Sequence, residues 1–236
     1  MNSFDKAARQ YGEYGHIQKD MAAWLAEWLP ENHEGRAMEI AAGTGFFTRH
    51  LLPWEGSFAA TDASHAMLLA GQANHPGIPW KLCAADALPA ESLDWIFSSS
   101  FLQWAENPVS LFAHWRSRLT NGGRILVGLF AEPTLPELRQ LAPDSSPLKW
   151  RTPPVWDKAL AEAGLVCLRM EHEPRTYRFS SGLELLRIIH RVGAAPRRRL
   201  STGQLRKLLD QYDRTHREGG HVVSTWTFLR VEAAKG

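Results

Sequence analysis

The chain has 236 residues, of which 44% are hydrophobic and 22% charged, and its formal net charge is +2. This is the composition of an ordinary soluble globule, long enough for one α/β domain with an insertion. A net charge this small does not call for a nucleic-acid partner, although the charge is uneven and the C-terminal third is rich in Arg, and no apolar run approaches the ~20 residues that span a membrane.

The first residues, Met1-Asn2-Ser3-Phe4-Asp5, carry no basic segment followed by an apolar one, so no secretory signal is expected and the protein is read as cytoplasmic. Cys83 and Cys167 have no C-x-x-C spacing and read as reduced thiols, with no metal site. Ten Trp is a heavy load, and some of them should line a pocket. From Phe4 the composition is helical and then breaks at Gly12 and Gly15, which predicts a lid over roughly 1–18. Tyr11 and Gln18 would face a ligand there, the plainer reading being a surface tyrosine and a helix-face glutamine. Ile17, Met21, Trp24, Leu25 and Leu29 recur at helical spacing, and Pro30 closes that helix.

Met38-Glu39-Ile40-Ala41-Ala42-Gly43-Thr44-Gly45 reads as a strand, an acid and a glycine turn, followed by a predicted helix from Phe46 to Leu52. The glycines would let a ligand approach the backbone, and the helix N–H groups would seat a polar or anionic group. The dinucleotide fingerprint fails because Thr48 stands at its third glycine position, and no P-loop is present. Asp62 follows the apolar run Phe58-Ala59-Ala60-Thr61 at close to the ~20 positions expected of an acid that holds a ribose diol. Ser64 is a predicted N-cap for a helix through Met67. Trp80 to Ala85 is a third strand delivering Asp86, then Ala87-Leu88-Pro89. Leu93 to Ser98 is a fourth, buried on both faces, and opens into Ser99-Ser100-Phe101-Leu102-Gln103-Trp104. Asn107-Pro108 starts a helix, and Arg124 to Phe130 is the fifth strand.

Beyond Phe130 the chain is punctuated by prolines. Val155 to Ala163 is a predicted helix capped by Gly164, and Leu165 to Met170 a sixth strand reaching toward Phe179. Ser181–Val192 and Thr202–His216 are two further helices. Val222 to Val231 is a strong strand expected to pair antiparallel at the sheet edge. Roughly 180–217 is therefore a helical insertion in a single domain spanning 1–236.

Glu39, Gly43-Thr44-Gly45 and Asp62 together resemble the first two motifs of class I S-adenosylmethionine (SAM) methyltransferases. With Asp86, Leu88-Pro89, Leu102-Gln103-Trp104, Gly122-Gly123, Leu185-Leu186, Gly193, Thr202-Gly203 and Thr225-Trp226, the chain resembles the BioC type, the malonyl-acyl-carrier-protein O-methyltransferases of biotin synthesis. The resemblance implies a Rossmann-like α/β fold with a seven-stranded, mostly parallel sheet, an antiparallel last strand and helices on both faces. It implies SAM as cofactor, S-adenosylhomocysteine as product and no metal. The cofactor residues would be Tyr11, Gln18, Glu39, Ala41, Gly43, Thr44, Gly45, Asp62, Ala63, Met67, Asp86, Ala87 and Ser98. The family usually carries Gly and Cys where Ala41 and Ala42 stand, Asn in place of Ser99 and Tyr in place of Trp226.

A carboxylate acceptor is already ionised at neutral pH, with a pKa of about 4, so no general base is expected. Its charge calls for polar donors, for which Gln103, Trp104, Arg175, Arg187, His190 and Arg191 are the candidates. Arg187, His190 and Arg191 share one helical face, which could equally be a solvated basic surface. Arg197, Arg198, Arg199, Arg206 and Lys207 form the densest basic region, either a docking rim for an acidic acyl carrier protein or a solvated loop. The other readings are a small-acid methyltransferase of the trans-aconitate type and a non-catalytic SAM-binding assembly protein.

Overall fold

The computed structural model describes residues 15–142, 150–191 and 200–236. Tyr11 and the Arg197–Arg199 run lie outside them, as does most of the expected lid. The described chain runs α1 (His16–Ala26), β1 (Arg36–Glu39), β2 (Ser57–Asp62), α2 (His65–Asn74), β3 (Trp80–Leu82), β4 (Leu93–Ser99), α3 (Pro108–Arg118), β5 (Leu119–Ala131), α4 (Pro136–Leu141) and α5 (Pro153–Glu162). It continues with β6 (Leu165–Phe179), α6 (Gly182–Arg191), α7 (Thr202–Thr215), β7 (Arg217–Glu218) and β8 (His221–Lys235).

One sheet of eight strands has the order β3-β2-β1-β4-β5-β8-β6, with short β7 paired to β8. The pairings from β3 to β5 are parallel, and those of β8 with β5, β6 and β7 are antiparallel. The seven-stranded expectation is met with the two-residue β7 added. Strand order reverses between β1 and β4, which opens a crevice at their carboxyl ends where ligands bind in such sheets.

The last strand does not sit at the edge. It lies between β5 and β6, and nearly all of it from Val222 to Ala233 is buried, as an apolar strand with neighbours on both sides must be. The edge is β6, whose charged and exposed residues suit a strand with one free side. Arg230 of β8 is 6% exposed, ion-paired with Glu27 and Glu171 and stacked on Trp24 and Trp28, so it ties α1 to the sheet.

Two predicted caps form as the residue types require. Ser64 Oγ accepts from Met67 N–H at 3.2 Å, and Asn107 Oδ1 accepts from Ser110 N–H at 3.0 Å with Pro108 next in line. The helix expected over Phe46–Leu52 does not. That stretch is a series of turns and one 3-10 turn, Thr48–His50, closed by His50 N–H to Phe47 O and Leu51 N–H to Thr48 O. Phe47 packs beside Phe97 in the core and Thr48 is drawn inward to Glu39, which winds the backbone tighter than an α-helix.

Candidate active site

β1 ends in Glu39, 1% exposed, whose Oε2 accepts from Thr48 Oγ1 at 2.6 Å. Burial pushes its carboxyl up to about 8; the Thr48 bond opposes this and the neighbouring Asp62 charge adds to it. The next residues turn sharply, with φ of +54° at Ala41, +59° at Gly43 and +91° at Gly45. A methyl group added at Gly43 would meet no atom within 4 Å, so the backbone there stands open to a ligand. At Gly45 it would strike the His75 ring. The loop carbonyls are held from that same side: Asn74 Nδ2 donates to Thr44 O at 2.9 Å, and His75 Nε2 lies 3.1 Å from Gly45 O.

Asp62 closes the loop from β2. Its Oδ2 accepts from Gly43 N–H at 2.8 Å and its Oδ1 from Ser64 N–H at 2.7 Å. The carboxylate thus fixes the glycine turn and the start of α2 at once. A carboxylate, which only accepts hydrogen bonds, is the group type that suits a diol. The third acid, Asp86, is exposed beyond β3. Its loop is pinned by α3, where Trp115 Nε1 donates to Ala85 O at 2.8 Å and His114 Nε2 accepts from Leu88 N–H at 3.0 Å.

These walls enclose a cavity of about 550 Å³, lined among others by Gly43, Asp62, Ala63, Met67, Asp86 and Phe101, within the range of small-ligand sites. Ala41, Ser100 and Trp104 also reach it, so one of the ten Trp does line a pocket. Beside it a nook of about 20 Å³ is bounded by Gln18, Glu39, Thr44, Phe46, Ser99 and Ser100. Four buried oxygens around this nook have no hydrogen-bond partner among the described residues: Gln18 Oε1, Thr44 Oγ1, Ser99 Oγ and Ser100 Oγ. Buried polar atoms are rarely left unpaired without reason. A carboxylate-lined cavity beside a nook of unsatisfied polar groups has the chemistry to hold a polar, hydroxyl-bearing ligand.

Several expected site residues are placed otherwise. Ser98 is fully buried and its hydroxyl donates to Ile40 O at 2.9 Å, tying β4 to β1; Ser99 and Ser100 reach the crevice instead. Gln103 is 5% exposed, with Nε2 donating to Ser100 O at 2.7 Å. Arg175 pairs with Glu173 and stacks over Trp24 and Phe228 on the face covered by α1, and is not among the residues lining either cavity. Arg187 and His190 are exposed on α6, while Leu185, Ile188 and Ile189 of the same helix are buried. The side chain of Arg191 lies outside the described residues. Arg206 and Lys207 are exposed on α7. Cys83 and Cys167 are half-buried and unpaired, and no cluster of potential metal ligands occurs among the described residues. Ser100, His114, Asn74 and His75 carried no sequence signal, because each acts across a long separation.

A family profile described as Methyltransferase domain matches residues 38–125, the stretch from β1 to β5. Malonyl-[acyl-carrier protein] O-methyltransferase of Paenibacillus sp. (strain JDR-2) is 27% identical over 96% of this chain and 94% of its own length. The biotin biosynthesis bifunctional protein BioHC of Cellvibrio japonicus is 28% identical over 81% of this chain, which spans only 40% of that longer protein. Among solved structures, an S-adenosylmethionine-dependent methyltransferase from Mesorhizobium loti superposes with a TM-score of 0.55 at 20% identity, covering 90% of this chain and 97% of that one. The strand order, the glycine turn and the acids at the ends of β1, β2 and beyond β3 are those of the class I methyltransferase fold, and the chain is similar to the malonyl-[acyl-carrier protein] O-methyltransferases along nearly its whole length.

Proposed function

We propose that the protein methylates the free carboxylate of a malonyl group carried on acyl carrier protein, with SAM as donor. The observation that carries the acceptor assignment is the extent of the similarity. It covers 96% of the chain, so it takes in β6, the α6–α7 insertion and β8 as well as the donor-binding half. SAM, when bound, supplies a methyl group on a positively charged sulfur.

The chain's own groups suit each part of that donor. Asp62 and Asp86 would hold the ribose and the adenine edge, and Gly43, Met67 and Ala63 would border the nucleoside. Gln18, Glu39 and Thr44 would take the amino-acid tail, whose ammonium would restore the charge on Glu39. A malonyl carboxylate, ionised at neutral pH, attacks without a base, so alignment and removal of water supply the rate. Trp104 borders the cavity and Gln103 positions the Ser100 carbonyl; both would shape the acceptor end. Arg187, His190 and Arg191 would meet the acceptor or the carrier's phosphate, and Arg206 and Lys207, with Arg197–Arg199, an acidic carrier surface. No helix among the described residues is long and apolar enough to cross a membrane.

The test is methyl transfer from labelled SAM to malonyl-acyl carrier protein, malonyl-CoA and trans-aconitate in parallel. Fastest labelling of the carrier-bound malonyl group, as a base-labile ester, is expected. Labelling of trans-aconitate alone would replace the proposed acceptor with a small free acid.

A further inference from the structure

The glycine turn is braced from outside the cavity. α2 ends at Asn74, whose Nδ2 donates to Thr44 O at 2.9 Å. His75 follows, with Nε2 3.1 Å from Gly45 O. A carbonyl oxygen only accepts, so that nitrogen carries the proton. Neither Asn74 nor His75 lines the large cavity or the nook, so both carbonyls are drawn away from the ligand side. The chain makes room for these contacts. A methyl group at Gly45 would lie 2.4 Å from His75 Cδ2, and one at Gly71 would lie 2.2 Å from the Trp80 ring. Trp80 Nε1 in turn donates to His75 O at 3.2 Å, and His75 N–H donates to Gly71 O at 2.8 Å. One strut thus runs from β3 through the end of α2 to the turn.

The turn needs such a strut. Ala41, Gly43 and Gly45 all stand at positive φ, and a glycine has more backbone conformations to lose than any other residue. From the sheet side, Ala42 N–H donates to Thr61 O and Gly43 N–H to the Asp62 carboxylate, both at 2.8 Å. Those bonds fix the first N–H groups of the turn, and Asn74 and His75 fix the carbonyls that follow. We infer that Asn74 and His75 are positioning residues, which hold the turn in its binding shape before the methyl donor arrives and so set donor affinity from outside the cavity. This rests on the donor assignment proposed above. A turn already in its bound shape loses less freedom when the ligand enters, and the difference appears as affinity. Both side chains act through the turn and meet no ligand atom themselves.

The experiment compares the wild-type protein with Asn74→Asp, His75→Phe and His75→Gln. An ionised Asp has the shape of Asn but only accepts, so it would face Thr44 O without a proton. Phe keeps a ring beside Gly45 without a donor, and Gln restores an N–H. In titration calorimetry, Asn74→Asp and His75→Phe should each bind SAM and S-adenosylhomocysteine about threefold to tenfold more weakly, the scale of one hydrogen bond. His75→Gln should stay within about twofold of wild type. In the ligand-free variants Asn74→Asp and His75→Phe, amide hydrogen exchange should quicken over residues 42–46 and stay unchanged in β4. Faster exchange or a lower thermal midpoint with unchanged affinity would make the brace merely structural. Unchanged exchange and affinity would also overturn the inference, and His75→Gln binding as weakly as His75→Phe would overturn the role of the His75 hydrogen bond. If the wild-type protein binds neither compound, the donor assignment itself fails and takes this inference with it. Wild-type binding that the variants leave intact removes only the role of Asn74 and His75.

Discussion

The two halves of the sheet use charge in opposite ways. From β1 to β4, the acids are turned on the chain's own loops: Asp62 receives two backbone N–H groups, and Glu39 is buried against Thr48. In the half built from β6 and β8, acids and bases are spent on each other. Glu232 is paired by both Arg124 and Arg169, and Arg230 by Glu27 and Glu171. The first half therefore holds a preformed cavity. The second is a framework that carries a helical insertion, and the charges it leaves exposed, such as Arg187 and His190, are the ones a partner could use.

The sharpest way to break this contrast is Asp62→Ala. It would orphan the Gly43 and Ser64 N–H groups, each worth about 1–3 kcal/mol when left unsatisfied in a buried place. SAM affinity should fall by at least about a hundredfold, and the thermal midpoint should drop, both readable by calorimetry. An equal change at Glu232, in the other half, should lower the midpoint and leave SAM affinity within about threefold.

Glu39 gives the next effect, and its sign follows from the raised pKa. Between the ordinary value of 4.5 and about 8, the folded protein holds a proton that the unfolded chain has lost. Stability of the ligand-free protein therefore declines as pH rises through that window, by at most about 1.4 kcal/mol per pH unit. Glu39→Gln should flatten the decline, and SAM binding to the wild type should release a proton near neutral pH. Calorimetry in two buffers of different ionisation enthalpy reads that proton. A flat wild-type stability profile from pH 5 to 8 would show that Glu39 is charged without ligand.

His114 tests whether the proposed adenine side of the cavity depends on its latch. Burial, and then the Arg118 charge, depress its pKa below the usual imidazole value, with Asp86 opposing. Its Nε2 accepts the Leu88 N–H, which only the neutral ring can do. The bond is intact above the ordinary pKa of 6.5 and is lost as pH falls through the depressed folded value, taking stability with it. His114→Ala should weaken adenosine and SAM alike by about tenfold, the scale of one well-placed hydrogen bond, and should remove the acid-side loss of affinity.

In the other half, the double variant Arg187→Ala, His190→Ala should leave SAM affinity unchanged and the thermal midpoint within about 1 °C, since surface changes are usually within about 0.5 kcal/mol. The KM for malonyl-acyl carrier protein should rise several-fold. An unchanged KM would make this face simply solvated.

The glycine turn and the acids around it, the proposed donor seat, were largely legible in the chain because their parts are local. Glu39, Gly43, Gly45 and Asp62 stand at strand ends and turns, where residue type reports conformation directly. Helix starts at Ser64 and Asn107 were readable for the same reason. What depends on distant partners was not. The 3-10 turn replaced a helix because Thr48 answers to Glu39 and Phe47 to Phe97. The interior place of β8 is decided by β5 and β6 on either side of it, and its apolar run alone did not separate edge from centre. Arg175 had the right chemistry for an anion site, but its partner is Glu173 and its bed is aromatic.

The smallest effect is also the one most specific to this chain. Ala41 stands at φ +54°, where a side chain is strained, in a turn whose other two left-handed residues are glycines. Ala41 also lines the large cavity. Ala41→Gly relieves the strain in the folded state but gives the unfolded chain more freedom, and the first effect outweighs the second where φ is positive. A net gain of about 0.5–1 kcal/mol is expected in urea unfolding, with SAM affinity equal or slightly improved. The matching change in the framework half, Ala233→Gly in buried β8, should lose stability instead, because a strand interior gains nothing from glycine's freedom. Opposite signs at Ala41 and Ala233 would place the stored strain in the donor seat. Destabilisation at both would mean that the Ala41 methyl contributes packing worth more than its strained backbone.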